Sequence, residues 1–462
     1  MKKIAGILIV LFTIVFSACN MEPETYENIL VKETIKAQSA NKFLNSIGVN
    51  SSITKRGEYL YQTIDYMNYL GARWIRGGYS TQKDLEDIIT VYKATGAKIC
   101  IGVGSGGNLN KESMKSFILQ TKCLAEAGAL LAFEGPNEPN NWKVTYNGEL
   151  GGGNGNENTW KPIAELMKDL CLIVGEDDVL KNYPVFHTCE NGAETENLGL
   201  QFCIVPEGTS SIYPAGTKFA DYANCHNYAS HPSWPGIHDN QTWRASDPSP
   251  DSFADGLYSN YGSTWLNGYS GYDEKTLLNI PRVTTETGIT VGEQGSDNLS
   301  EEMQGCMYMN IYLSQFKRGW SYTAVYLLKA HGDEANHEPF SFFNLDGSGK
   351  IAADYLHNLT SILADDPNAT TNPGYLTFSI PNKPATVHHL LLQKSNGNLE
   401  LVVWGEKYTG GSEKIRVNFD ETFKVIRIFD PTQSSDEIET LYNVNSILLT
   451  MTTHPYVIEI EK

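Results

Sequence analysis

The feature that most restricts the fold of this chain is an alternation of short apolar segments with longer segments whose apolar residues recur at helical spacing. The pattern begins near Asn41 and continues to about Asp365. It is typical of consecutive βα units, which place parallel strands side by side in one sheet. The predicted strands cover residues 43–50, 72–75, 97–103, 129–133, 183–187, 219–228, 281–285 and 322–328. Eight such units predict a closed (β/α)₈ TIM barrel of the α/β class.

The segments between these strands have the spacing of amphipathic helices, and the first three stop at a glycine. Gly71, Gly96 and Gly128 stand where a helix needs a residue that accepts a left-handed conformation. The helices therefore support the same barrel. They are predicted over residues 58–70, 84–95, 111–127, 160–174, 301–318 and 352–363.

A second domain is predicted after Asp365, where turn-forming proline, asparagine and glycine residues precede a series of alternating strands. The Asn396-Gly397 pair is typical of a hairpin turn. We expect a barrel over residues 41–366 and an antiparallel β-sandwich over residues 367–462, which suits a chain of 462 residues. The predicted strands of the sandwich cover residues 375–380, 389–394, 399–404, 414–418, 425–429 and 456–460.

Residues 1–18 are predicted to be a signal peptide, because two lysines precede an apolar run too short to span a bilayer. The run ends in Phe-Ser-Ala-Cys, which resembles the lipobox of bacterial lipoproteins and implies cleavage before Cys19 and lipid on its thiol. Residues 19–40 then form an acidic tether and N-terminal segment. The resemblance implies a protein that is lipid-anchored in the bacterial cell envelope, on the outer membrane, the cell surface or the periplasmic face. The alternative is a plain secretory signal with an incidental cysteine.

Charge and cysteine content narrow the classes of partner. The formal net charge of −19 repels phosphate backbones, so we expect no nucleic-acid binding, whereas neutral polymers are not excluded. The 25 tyrosines and 8 tryptophans supply aromatic faces of the kind that stack on sugar rings. Seven cysteines follow Cys19 without a Cys-x-x-Cys pair, which argues against a disulfide scaffold or a zinc ribbon and leaves one disulfide open.

The most informative motif is Asn137-Glu138-Pro139, directly after predicted strand four. In a barrel this position lies at the carboxyl-terminal rim, where catalytic groups are found. Pro139 fixes the turn and so helps to hold the Glu138 carboxyl in one position. Taken alone, an exposed turn glutamate beside proline is an equally good interpretation.

A second glutamate, Glu286, ends predicted strand seven. Alone it is as easily a structural residue paired with an arginine. Strands four and seven face each other across a barrel, however, so Glu138 and Glu286 are expected to flank one substrate bond. Two carboxyl groups about 5–5.5 Å apart can cleave a glycosidic bond with retention of configuration, one as nucleophile and the other as acid and then base.

These motifs resemble those of glycoside hydrolase clan A, in which the acid/base follows an asparagine at the end of strand four and the nucleophile ends strand seven. The resemblance covers most of residues 41–365, and the strands that follow resemble the accessory domain of family 39-like and family 5-like members. It implies a retaining glycosidase with Glu138 as acid/base and Glu286 as nucleophile. It also implies that Asn137 hydrogen-bonds the sugar 2-hydroxyl. We expect no cofactor and no metal.

Three further residues match the clan. The resemblance implies that Arg76, at the end of strand two, keeps Glu286 ionised, and that Tyr228 of His226-Asn227-Tyr228 lies near the nucleophile. A salt bridge at the barrel rim remains an alternative for Arg76, and a satisfied core histidine remains one for His226. The chain departs from the clan at the end of strand eight, where Tyr326-Leu327 stands in the region that frequently carries a tryptophan.

Three tryptophans on predicted loops at the catalytic face are candidate sugar platforms: Trp142, Trp234 and Trp243. Loop packing is the alternative, and we expect it for at least one of them. A metal group of His331, Asp333, Glu334 and His337 lacks the His-Glu-x-x-His spacing of a zinc site. A serine hydrolase is disfavoured because the chain has no Gly-x-Ser-x-Gly elbow.

The expected partner is a polysaccharide or oligosaccharide, with membrane contact through the N-terminal lipid only, and we expect a monomer. A different class of protein remains as the alternative, namely a non-catalytic surface glycan-binding lipoprotein on a hydrolase-like barrel. The presence of both glutamates argues against it. The sequence leaves open the sugar, the linkage and the choice between endo and exo attack.

Overall fold

A computed structural model of the protein describes residues 32–153, 157–189, 203–205, 207–208, 212–229, 236–247, 279–292, 299–332 and 335–462. The predicted signal peptide, Cys19 and Trp234 lie outside these residues, as do Asp333 and Glu334 of the alternative metal group. Among the described helices, none combines the length and the apolar character that a membrane span requires.

The described part of the chain forms the strands and helices of two domains. Its strands are β1 (Glu33–Lys36), β2 (Gln38–Ser39), β3 (Ile47–Asn50), β4 (Trp74–Gly77), β5 (Lys98–Gly102), β6 (Gly107–Leu109), β7 (Leu130–Glu134), β8 (Val144–Tyr146), β9 (Glu149–Gly151), β10 (Val185–Phe186), β11 (Ala223–Asn224), β12 (Arg282–Thr287), β13 (Trp320–Val325), β14 (Tyr375–Ser379), β15 (Val387–Gln393), β16 (Leu399–Gly405), β17 (Glu413–Phe429), β18 (Glu437–Met451) and β19 (Pro455–Ile460). Its α-helices are α1 (Ala40–Ser46), α2 (Leu60–Leu70), α3 (Gln82–Thr95), α4 (Lys111–Gln120), α5 (Lys122–Ala127), α6 (Glu157–Glu176), α7 (Gln241–Ala245), α8 (Glu301–Lys317) and α9 (Ile351–Ile362).

Eight parallel strands within the described residues form a barrel, which confirms the predicted fold. They hydrogen-bond in the order β10-β7-β5-β4-β3-β13-β12-β11. A parallel bridge between Phe186 of β10 and Tyr222, the residue before β11, joins the two ends of this order. Because all eight strands run in the same direction, their carboxyl ends open on one face, and the loops after those ends build the surface where a site is expected.

The inside of the barrel is filled by side chains from six of these strands. Gly48 of β3 makes room for the Trp74 indole, because a Cβ at that glycine would lie 2.1 Å from the ring. The cluster inside the barrel consists of Trp74, Cys100, Ala132, Phe186, Val283 and Ala324.

The seven cysteines that follow Cys19 are all free thiols, so none of them forms the disulfide that the sequence left open.

Several predicted barrel strands are shorter than expected; residues 183–187, expected as strand five, contain only β10 (Val185–Phe186). Residues 43–46, expected in strand one, are the end of α1, since Ala40, Phe43 and Leu44 have helical spacing and turn one buried face to the core. Residues 219–228, expected as strand six, contain only the two-residue strand β11. The loop that follows β11 therefore carries His226 and Tyr228.

The second domain contains a sheet in the order β1-β14-β17-β19-β16-β15-β2, with β18 paired to β17. All pairs are antiparallel except β15 with β2. The first half of β17 pairs with β14 and its second half with β19, with a register shift between Asn418 and Phe423. Such an irregularity bends a strand, so β17 passes between two layers that enclose their own apolar core. This is the expected β-sandwich.

Three details of this domain differ from the predictions. The strands predicted over residues 414–418 and 425–429 are the two halves of β17. Strand β18 was not predicted, because most of its residues are exposed on both faces and only its last five residues alternate between buried and exposed. Residues 33–39, expected in the tether, form β1 and β2 of this sheet. An edge strand with little buried surface carries too weak a pattern for recognition from sequence.

Candidate active site

The carboxyl ends of three barrel strands converge on one group of charged side chains. Arg76 belongs to β4, Glu134 is the last residue of β7, and Glu286 lies in β12. Asn137 and Glu138 follow β7 in the chain. The parallel arrangement of the strands explains why residues so far apart in sequence meet at one face.

Arg76 is the centre of this group. Its Nε and Nη2 donate to the two oxygens of Glu134 over 2.7 and 3.0 Å, and its Nη1 donates to Glu286 Oε2 over 2.8 Å. Its Nη2 also donates to Asn137 Oδ1 over 2.6 Å. Burial alone would lower the pKa of Arg76, but the neighbouring carboxylates Glu134 and Glu286 raise it well above its usual value. The guanidinium thus stays charged and links both strand ends.

Glu134 is the fully buried member of the group. Burial opposes its ionisation, but Arg76 outweighs that effect, so the pKa of Glu134 is lowered. Thr285 Oγ1 and Asn224 Nδ2 also donate to Glu134 Oε1, over 2.6 and 3.2 Å. With no exposed surface, this carboxylate has a structural place beneath the site rather than a place against a ligand.

Glu138 lies in the turn after β7 with an unusual backbone. Its φ is +39°, a value that residues other than glycine seldom adopt, and such residues cluster at functional sites. His226 Nδ1 lies 2.7 Å from Glu138 Oε1, and Asn141 Nδ2 donates to Oε2 over 3.0 Å. Burial acts to raise the pKa of Glu138, but the contacts with His226 and Asn141 prevail and lower it to about 2.

Glu286 is held at both oxygens. Tyr228 donates its hydroxyl to Oε1 over 2.5 Å, while Arg76 donates to Oε2. Burial and the neighbouring Glu286 raise the pKa of Tyr228 well above its usual value, so this hydroxyl keeps its proton and remains a donor. Two donors on separate oxygens fix the plane of the carboxylate and stabilise its charge.

The two predicted carboxylates share one space. One oxygen of Glu138, one oxygen of Glu286 and a ring nitrogen of His226 all lie within 4.8 Å of one another. His226 itself is completely buried, and its Nε2 lies 3.1 Å from Thr285 Oγ1. The histidine therefore sits behind Glu138, where both of its ring nitrogens have partners, as expected of a satisfied core histidine.

In the part of the chain that the structure describes, two clusters of acidic, histidine and cysteine side chains are compact enough for a single cation. They are Glu134 with Cys189 and His226, and Glu138 with His226 and Glu286. Arg76 already supplies a positive charge to Glu134 and Glu286, and burial raises the pKa of the Cys189 thiol well above its usual value. A metal would have to displace that guanidinium, so the arrangement favours carboxylate chemistry over metal binding. In the alternative metal group that the sequence offered, His331 Nε2 contacts the buried Glu58 over 3.1 Å.

The tryptophans predicted as platforms lie in different surroundings. Trp142 follows Glu138 in the same loop and is 56% exposed, as a platform must be. Trp243 lies in the domain interface instead, stacked on His388 with ring centroids 4.1 Å apart, and Arg318 covers its ring. Trp243 is thus the tryptophan for which the expected loop packing holds.

The same interface buries a third glutamate. Glu406 accepts hydrogen bonds from Thr242 Oγ1 at 2.6 Å, from the Trp243 backbone N–H at 3.0 Å, from Ser314 Oγ at 3.0 Å and from Trp404 Nε1 at 3.1 Å. Among the described residues, no lysine or arginine forms an ion pair with it. Burial raises the pKa of Glu406 even though these donors act against the shift.

Several residues of the site escaped the sequence analysis. Glu134 precedes Glu138 by four positions, and Asn224 precedes His226 by two. Their proximity in sequence to these candidates is the feature that could have suggested them. Asn50 ends β3 and bridges the carbonyl of Thr285 and the Arg76 guanidinium. A residue at a strand end of a barrel points either into the site or away from it, and the sequence does not fix that register.

Comparison with known proteins supports the architecture. No protein-family model matches this chain, and no curated protein matches it. A family 39 glycoside hydrolase from the gut symbiont Bacteroides cellulosilyticus WH2 superposes with a TM-score of 0.60 at 15% identity, over 92% of this chain and 82% of that one. CelM2, a bifunctional glucanase-xylanase from a metagenome library, matches with a TM-score of 0.51 at 10% identity, over 92% and 98% of the two chains.

A third solved structure adds to this likeness. AbfB, a family 51 α-L-arabinofuranosidase from Bifidobacterium longum, has a TM-score of 0.51 at 9% identity, over 92% of this chain and 97% of that one. At such identities the likeness shows the fold, which is that of a TIM barrel with a β-sandwich domain. The predicted resemblance to clan A glycosidases is thus confirmed as a likeness of architecture.

Proposed function

We propose that this protein is a retaining glycoside hydrolase that cleaves O-glycosidic bonds in a polysaccharide or oligosaccharide by double displacement. The observation that carries the proposal is the proximity of Glu138 and Glu286, which bring carboxylate oxygens within 4.8 Å of each other. Carboxyl groups about 5–5.5 Å apart suit retention, whereas inversion needs about 6.5–9.5 Å to leave room for water. The fold shared with solved glycoside hydrolases supports the proposal by analogy.

In the first half-reaction, a carboxylate oxygen of Glu286 attacks the anomeric carbon, and the bond from that carbon to the leaving oxygen breaks. Glu138 gives its proton to the leaving oxygen, which departs as an alcohol. Arg76 and Tyr228 hold the two oxygens of Glu286 in place. The nucleophile is therefore oriented, and its negative charge stabilised, before the substrate arrives.

In the second half-reaction, ionised Glu138 removes a proton from water, and the water oxygen attacks the same carbon and releases Glu286. The configuration is retained because the carbon is inverted twice. Asn137 accepts from Arg76 through its Oδ1, so we assign its amide nitrogen as donor to the 2-hydroxyl of the attacked sugar.

The proton on Glu138 depends on the substrate. In the free protein, contact with His226 holds the pKa of Glu138 at about 2, so the carboxyl is ionised and suited to the second step. A sugar bound against Glu138 excludes water from it, and added burial raises the pKa of a carboxyl. We therefore expect Glu138 to become an acid only in the complex.

The test is hydrolysis of a panel of aryl glycosides and polysaccharides by the wild type and three variants. Glu138→Ala and Glu286→Ala should each lower kcat by about 10²-fold or more on a cleaved substrate, without loss of the fold. Glu149→Ala, an exposed glutamate of β9, is the matched control and should keep wild-type turnover. Proton NMR of the first product should show the anomer of the substrate.

Three outcomes would overturn the proposal. Wild-type turnover in either glutamate variant removes the two-carboxylate mechanism, and an inverted first product removes retention. A wild type that binds a glycan of the panel and cleaves none establishes the non-catalytic glycan-binding alternative.

We also propose that the protein is anchored to the bacterial cell envelope by lipid on Cys19, on the strength of the Phe-Ser-Ala-Cys run. Cys19→Ala removes the thiol that would carry the lipid, and with it the acyl chains that would hold the protein at the bilayer. We expect this variant to move from the membrane fraction to the soluble fraction. Cys123→Ala is the matched control, and unchanged fractionation of Cys19→Ala would contradict the proposal.

A further inference from the structure

A cavity of about 630 Å³ opens beside the two glutamates, over the ends of β3, β4 and β5. Three residues of the proposed site, Asn50, Arg76 and Asn137, form its near end. Glu138 and Glu286 do not line it, so the cavity is adjacent to the position of the cleaved bond and not the same space. Its volume lies in the range of about 300–1,000 Å³ that is typical of ligand pockets.

Glycines at the ends of β4 and β5, and in the loops directly after them, line the cavity. Gly77 is required by packing, since a Cβ there would lie 2.9 Å from the carbonyl oxygen of Ser51. Gly78 is different, because a Cβ there would meet no atom within 4 Å and its φ lies outside the left-handed range. The fold therefore accepts a side chain at Gly78, and the absence of one leaves open space where a ligand fits.

The far end of the cavity is apolar. Leu109 and Phe117 are half-buried on its wall, with the buried Met114 among them. Tyr79 stacks face to face on Phe117 with centroids 4.4 Å apart, and its hydroxyl donates to the Phe117 carbonyl. The hydroxyl of Tyr79 is thus satisfied within the protein, and the wall offers contact surface more than hydrogen bonds.

The cavity is therefore polar near the glutamates and apolar at its far end. A neutral sugar has matching properties, since its hydroxyl edge hydrogen-bonds and its C–H face packs against apolar or aromatic surface. Arg56 and Arg76 also line the cavity, so the lining carries positive charge as well as apolar surface. The geometry favours a sugar as the occupant.

We infer that this cavity is a second sugar-binding subsite, for the unit that precedes the attacked sugar, and that Gly78 determines whether this unit fits. The inference rests on the proposed glycosidase function. The direction follows from Asn137, which lines the cavity and is assigned to the attacked sugar, so the cavity extends on that sugar's side and not on the side of the leaving group. The preferred substrates then carry at least two sugar units on that side.

The experiment compares the aryl monoglycoside that the panel identifies with the aryl glycoside of a disaccharide ending in the same sugar. In the wild type, kcat/KM should be about tenfold or more higher for the disaccharide, because a filled subsite adds binding free energy. Gly78→Phe adds a bulky side chain to the lining of the cavity, so the ratio of the two kcat/KM values should fall to about one. Gly175→Phe is the matched control, since a Cβ at this α6 glycine also meets no atom within 4 Å.

A second variant guards against failure of the first to fold. Leu109→Asn keeps the size of the wall residue and removes its apolar surface, so the same ratio should fall by about threefold or more. The inference is overturned if the wild type shows no preference for the disaccharide, or if both variants lower the two kcat/KM values equally. A protein that cleaves neither compound and no polysaccharide instead overturns the proposed function, so the two failures are distinguishable.

Discussion

The barrel mouth and the domain interface each bury a glutamate completely, and the two carboxyls behave in opposite ways. Glu134 pairs through both oxygens with Arg76, and its pKa is lowered. Glu406 accepts four hydrogen bonds from neutral donors, and its pKa is raised. Burial opposes ionisation in both places, so the guanidinium accounts for the difference.

The contrast indicates what each region is built to do. At the barrel mouth a permanent positive charge lowers the pKa of Glu134 and donates a hydrogen bond to Glu286, which stabilises the negative charge that a nucleophile needs. At the interface the hydrogen-bond donors to Glu406 connect the two domains, and because they are neutral they do not hold the carboxyl in its ionised form. Three predictions test this contrast.

The largest effect is expected from Arg76→Met, which removes the charge and keeps much of the volume. Glu134 would then be an unpaired buried charge, which costs about 3–5 kcal/mol of unfolding free energy, and Glu286 would lose a donor. Activity should fall by about 10²-fold or more. Denaturant unfolding and hydrolysis of the identified aryl glycoside measure the two losses.

A double variant provides the control for this prediction. Glu134→Gln combined with Arg76→Met removes the unpaired charge, so it should recover most of the stability while the activity stays low. If stability does not recover, the cost of Arg76→Met comes from packing and the contrast with Glu406 is wrong.

A moderate effect is expected from Glu406→Gln. The amide nitrogen of glutamine would face a donor that now meets a carboxylate oxygen, and an unsatisfied buried group costs about 1–3 kcal/mol. The melting temperature should fall, while activity below the transition stays at the wild-type level. Glu437→Gln on the exposed part of β18 is the control. A loss of activity without a loss of stability would show that the interface acts on the site.

The smallest effect is a difference in pH dependence. Because the pKa of Glu134 is lowered, its stabilisation is present above the unfolded value of about 4.3 and is lost as the pH falls through the folded value. Because the pKa of Glu406 is raised, its stabilisation is present below about 4.3 and is lost as the pH rises through the folded value.

Melting temperatures of the wild type, Glu134→Gln and Glu406→Gln across acid to neutral pH measure this difference. The advantage of the wild type over Glu134→Gln should shrink as the pH falls, and its advantage over Glu406→Gln should shrink as the pH rises. If both differences in melting temperature changed in the same direction with pH, the proposed contrast between Glu134 and Glu406 would be wrong.

Much of the barrel could be predicted because periodicity is a local property. The amphipathic helix over residues 58–70 and the glycine stop at Gly71 are visible without knowledge of their neighbours. Residues 43–46 were predicted wrongly because a short apolar run fits a strand and a buried helix equally well. Strand β18 escaped because an exposed edge has little apolar surface to repeat.

The candidate site was predictable only in part, for a similar reason. Glu138 and Glu286 stand out as acids at or just after the ends of apolar strands, because charged residues are seldom buried there without a partner. Glu134 is fully buried, and its role depends on Arg76, which lies 58 positions away in the chain. Whether Trp243 is exposed likewise depends on where the second domain packs. Such pairings are properties of the folded chain and leave no local pattern.

The pairing of β1 with β14 and of β2 with β15 has a consequence for dissecting the molecule. The barrel is inserted between two parts of one sandwich, so a cut at residue 366 would not yield two self-sufficient pieces. A barrel fragment that begins at residue 33 would expose two strands without partners, and a sandwich fragment that begins at residue 367 would lack the edge strands that cover it. A designer of truncated forms would have to reconnect residues 33–39 to the sandwich by a linker and excise the barrel from the middle.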